Sequence, residues 1–144
     1  MAKEMKIELR QISASASEAT IGRHRVTIDR PAAKGGSDAG PMGGELFLAA
    51  VGGCFMSNLL AAIGARTAEI SDVRVEVSGY LADSPAMFAR VELRVSAESR
   101  DRELLERLVG IADRGCIVMN TLQGTVDLRI SVDATRESQE SAAT

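Results

Sequence analysis

Few side chains in this chain can do chemistry: two cysteines, Cys54 and Cys116, 62 positions apart, and a single histidine, His24. Cysteine acts through its thiolate, and a working pair needs a stabilised thiolate near a second thiol, with an Arg or Lys to favour the charged form. His24 falls in or beside an expected edge strand and reads as a surface residue, so Cys-His and Ser-His-Asp catalysis lack a second candidate base. No HExxH or CxxC spacing and no His or Cys cluster is present, and no metal centre is expected. Thiol chemistry remains, with two buried packing cysteines as the alternative reading.

The elements that must position these thiols come from one ordinary domain. The chain has 144 residues, 45% hydrophobic and 26% charged, which excludes disordered, collagen-like and disulfide-rich classes. Lys plus Arg is 17 against 20 Asp plus Glu, a net charge of -3. With no basic excess and only 3% aromatics, nucleic acid is not expected as a partner. The start, MAKEMKIELR, lacks the apolar run of a secretory signal, so a reducing cytoplasm is the expected compartment and a structural disulfide is not.

Period-two alternation predicts strands at Ile7 and Leu9, at Val26 and Ile28 with Arg25, Thr27 and Asp29 outward, at Val73 to Val77, at Val91 to Val95, and at Val126 to Val132. Ser84 and Pro85 mark the turn between the third and fourth. Glu45 to Arg66 reads as a helix, because Leu46 to Ile63 is apolar or small except for Ser57 and Asn58. A membrane span competes by length, but Gly52, Gly53, Ser57 and Asn58 dilute it, and no membrane partner is expected. A soluble helix apolar all round must be covered all round, and a second subunit is the simplest cover.

Asp101 to Arg114 is amphipathic, with Leu104, Leu105, Leu108, Ile111 and Ala112 on one face. Ser99 or Asp101 can cap its start and Gly115 can end it. Cys116 follows that break, where a new helical turn over CIVMNTL would offer free N–H groups that favour a thiolate. PAAKGGSDAGPMGG reads as a turn-rich connector. Residues 1–133 form the expected domain and 134–144 a polar, disordered tail.

Two motifs carry a resemblance. GPMGGELFLAAVGGCFMSNLL, a glycine-proline step before an apolar helix holding a cysteine, resembles the OsmC/Ohr family. GCIVMNTL is similar to that family's second-cysteine segment, usually read C-P-V-S-N-T-L: Asn120, Thr121 and Leu122 match, while Ile117 stands for proline and Met119 for serine. The resemblance covers Val26 to Val132, including the order of elements. It implies an α+β OsmC-like fold, an antiparallel sheet packed on a long buried central helix, in an intertwined homodimer with both active sites at the subunit interface.

The resemblance further implies a thiol peroxidase that reduces organic hydroperoxides and protects against oxidative stress. Cys54 would attack and Cys116 resolve, with an external dithiol of lipoyl or small-molecule type as reductant and no bound cofactor. The family holds the thiolate with an arginine from the early strands, oriented by a glutamate ten residues before the helix cysteine. Gly44 occupies that glutamate position here and Glu45 the next. Among Arg10, Arg23, Arg25 and Arg30, Arg23 beside Gly22 is the candidate arginine. The alternative function is a non-catalytic dimer that binds a small apolar ligand among Met42, Phe47, Met56, Phe88 and Met119, with structural cysteines.

Overall fold

A computed structural model describes residues 2–135. Where one domain is expected over 1–133, contacts group the chain into two compact units, Met1–Phe47 and Leu48–Thr144.

The first unit is a three-stranded antiparallel sheet in the order β1 (Glu8–Gln11), β2 (Ser17–Ile21), β3 (His24–Ile28). β2, with the sequence SEATI, has too little apolar alternation to announce itself. Its register pairs Leu9 with Ala19 and Ala19 with Val26 on one face. On the other face Glu18 meets Arg10 at 3.7 Å and Arg25 at 3.5 Å. Gly22 supplies the left-handed φ of 59° that opens the two-residue turn Gly22–Arg23.

Asp29 corrects the expectation that it faces water: it is 2% exposed. Its carboxylate accepts from the backbone N–H of Arg30 at 2.7 Å and of Ser37 and Ala39 at 3.1 Å each. The turn-rich connector is thereby tied to the end of β3. Gly36 and Gly40 lie so close to the Arg30 and Thr27 carbonyls that no side chain fits at either position.

Helix α1, Gly43–Ala65, begins in the first unit and continues into the second. Glu45 starts it as a capping carboxylate: Oε1 accepts from Met42 N–H at 2.9 Å, while Met42 C=O accepts from Leu46 N–H at 3.0 Å. Its buried residues, Val51, Gly52, Phe55, Leu59, Ala62 and Ile63, form one stripe. Gly53, Ser57, Leu60, Ala61 and Gly64 are exposed, Leu60 at 51%. The helix expected to be covered all round is thus covered within its own chain on one side. By length and composition α1 could also cross a membrane.

The second unit adds β4 (Ile70–Ala82), β5 (Met87–Ser99), α2 (Arg102–Gly115), α3 (Ile117–Leu122) and β6 (Asp127–Thr135). The sheet order is β4-β5-β6. β4 and β5 form the antiparallel hairpin expected around Ser84 and Pro85, but β6 joins β5 in parallel, so this sheet is mixed, not antiparallel throughout. The cause is connectivity: α2 and α3 form a crossover that returns the chain to the start of the sheet in the direction of β5. β5 buries Val91, Leu93, Val95 and Ala97, and α2 buries Leu105, Leu108, Val109 and Ala112. Of the two expected caps of α2, Asp101 is the one that acts, accepting from Leu104 N–H at 2.9 Å. α1 packs on β4, where a Cβ at Gly52 would lie 2.6 Å from Val77 Cγ2. Residues 134 and 135 belong to β6 and not to the tail expected over 134–144; the remainder of that tail lies outside the described residues.

Candidate functional site

The second unit brings the two cysteines together. Cys54 is half-buried in α1, and Cys116 is buried at the junction of α2 and α3; both are free thiols. The two side chains are neighbours, and Cys54 acts on the proton affinity of the Cys116 thiol. Thiols distant in sequence are therefore neighbours in the fold.

The junction that presents Cys116 is built from local hydrogen bonds. Cys116 N–H donates to Asp113 C=O at 3.3 Å, and its own C=O accepts from Asn120 N–H at 2.9 Å. Asn120 Nδ2 donates to Arg114 C=O at 3.0 Å, satisfying a carbonyl at the end of α2, and Thr121 Oγ1 donates to Ile117 C=O at 2.7 Å. The Asn-Thr pair after the second cysteine thus stitches the turn that fixes its position.

The electrostatics of Cys116 correct the expectation of a thiolate there. Burial pushes its thiol pKa up, and the neighbouring Cys54 pushes in the same direction. The N–H groups of Met119 and Val118 pull the other way, as a helix start should, without overturning the burial. The fold therefore favours the protonated form of Cys116.

Asn58 is the residue that sequence reasoning passed over. One helical turn beyond Cys54, its Nδ2 donates to Cys54 C=O at 2.9 Å and lies 3.9 Å from Cys54 Sγ. Its Oδ1 lies 3.3 Å from where a Cβ on Gly115 would stand. The i, i+4 spacing from Cys54 was the available signal; the contact with Gly115 had none.

Arg23 is exposed in the turn between β2 and β3 and belongs to the first unit, whereas both cysteines belong to the second. Arg10 and Arg25 pair with Glu18. Glu45 caps α1, and Gly44 offers no carboxylate. His24 is exposed, as expected. Among the described residues no group of three His, Cys, Asp or Glu side chains could hold a metal ion. Gly53 and Met56, which bracket Cys54 in α1, help line an apolar groove of about 380 Å³ with Leu48, Ala49, Gly52, Val75 and Val77.

Residues 35–131 match the family described as OsmC-like protein. The fold is similar to a crystal structure of a hypothetical protein from Aquifex aeolicus VF5, with TM-score 0.82 and 18% identity over 94% of this chain and 99% of that one. It is also similar to an organic hydroperoxide resistance protein from Elizabethkingia anophelis, with TM-score 0.74 and 18% identity over 94% and 100%. The organic hydroperoxide resistance protein OhrB of Bacillus subtilis aligns with TM-score 0.65 and 26% identity over 89% and 96%. No match was found among curated proteins.

Proposed function

The chain belongs to the OsmC-like protein family, and from that premise we propose that it is a thiol-dependent peroxidase that reduces organic hydroperoxides with Cys54 and Cys116. The observation that carries this reading is that a half-buried thiol, Cys54, neighbours a buried one, Cys116. In the proposed cycle the Cys54 thiolate attacks a peroxide oxygen, the O–O bond breaks, and the alcohol leaves after taking a proton. Cys54 is then a sulfenic acid. Cys116 condenses with it, releasing water and forming the Cys54–Cys116 disulfide, which an external dithiol of lipoyl or small-molecule type returns to two thiols.

Support for the substrate class comes from two features: an apolar groove beside the Cys54 turn of α1, and similarity to proteins named for organic hydroperoxide resistance. The reading includes a cytoplasmic homodimer that protects against oxidative stress, in which Arg23 holds the thiolate. The test is steady-state consumption of cumene hydroperoxide with dithiothreitol. Cys54→Ser should lower the rate by roughly two orders of magnitude or more. Cys116→Ser should still consume hydroperoxide but leave Cys54 trappable as sulfenic acid. A Cys54→Ser rate equal to that of the native chain rejects the proposal.

A further inference from the structure

Asn58 touches both halves of the thiol site. Its amide N–H donates to the Cys54 carbonyl and reaches the Cys54 sulfur, and its carbonyl oxygen lies beside Gly115, the residue that precedes Cys116. An asparagine within a helix is poorly disposed to stay there unless its side chain is engaged, because it competes for backbone hydrogen bonds. Here the amide nitrogen is engaged within α1, and the amide oxygen is placed beside Gly115 at the end of α2. The space between them is limited: an added methyl at Gly115 would press on Oδ1 at 3.3 Å.

We infer that Asn58 is a positioning residue for thiol pairing, clamping the Cys54 turn of α1 to the α2–α3 junction so that Cys54 and Cys116 are held ready to join. The inference rests on the proposed two-cysteine cycle for its biological use, but the clamp itself operates on any oxidation that joins the two thiols. Holding two reacting groups in place raises their effective concentration, so loss of the clamp lowers the equilibrium for closing the bond. It also lengthens the life of the Cys54 sulfenic acid and exposes it to a second oxidation.

The test is the equilibrium of Cys54 and Cys116 with glutathione. In that exchange the two protein thiols and one glutathione disulfide give the protein disulfide and two reduced glutathiones, two electrons passing to the glutathione sulfur atoms and two protons to the new thiols. Asn58→Ala is expected to lower the equilibrium constant for ring closure by about tenfold. Gly115→Ala presses on the same contact from α2, favours the helix, and is expected to lower it by about threefold. Either fall supports the clamp. Equilibrium constants equal to that of the native chain in Gly115→Ala and in any folded Asn58→Ala protein overturn it. This measurement needs no peroxide, so an inactive native chain with a normal glutathione equilibrium would reject the peroxidase reading and leave the clamp measurable.

Discussion

At the scale of residues, the two thiols differ in access and in proton affinity. Cys116 is 0% exposed and its pKa is raised chiefly by burial, whereas Cys54 is half-buried. Iodoacetamide at neutral pH should therefore label Cys54 and spare Cys116, as read by peptide mapping; equal labelling of both would contradict the site. The raised pKa also has a stability consequence. The fold favours the protonated form of Cys116, so its contribution is complete below the ordinary thiol pKa of about 8.5 and fades as pH rises through the higher folded value. Alkaline unfolding should be shallower in Cys116→Ala than in the native chain. Cysteine pairs are legible in a sequence because cysteine is scarce and its motif is local. Asn58 was not, because its role depends on Gly115, a residue of another helix.

At the scale of elements, the strands and helices that repeat a simple period were legible, and those set by tertiary context were not. β2 was not legible because SEATI offers only Ala19 and Ile21 as alternating apolar positions, and the parallel docking of β6 follows from the α2–α3 crossover, which no strand announces. Asp29 alternates as though solvated, yet the connector folds back and buries it. Its pKa is lowered, first by the Ala39 N–H and then by Arg30, Ser15 and Ser37 against the cost of burial. A lowered carboxyl pKa stabilises the fold above the ordinary value of about 3.9, and the contribution is lost as pH falls through the folded value. Asp29→Asn removes the charge those N–H groups address, and cleavage within residues 30–42 should rise about tenfold in limited proteolysis at pH 7. Unchanged cleavage would show that the connector is held by something else. The Asp101 cap is a simpler case: Asp101→Ala should cost about 1 kcal/mol in urea unfolding.

At the scale of the molecule, apolar residues remain uncovered in each unit. Ile7, Leu9 and Ile21 are exposed in the first, and Leu60 in the second. Burying a large apolar side chain is worth about 1.5–3 kcal/mol, so a second copy covering these residues would couple association to folding. The proposed homodimer predicts an unfolding midpoint that rises with protein concentration. Leu60→Asp is the informative substitution, because Leu59 is buried within its own chain and its loss would damage a monomer as well. Leu60→Asp should abolish soluble dimer, and a stable folded native monomer at micromolar concentration would contradict the assembly.

If two thiols distant in sequence act as one peroxide-reducing unit, a single turnover must oxidise both. Reduced protein should be mixed with one equivalent of cumene hydroperoxide, without reductant, and followed by intact mass and peptide mapping. One equivalent of alcohol is expected, with a mass loss of two hydrogens and a Cys54–Cys116 disulfide that fails to form in either Cys54→Ser or Cys116→Ser. Hydroperoxide that persists while both thiols stay free, or that is consumed equally by Cys54→Ser, would contradict it.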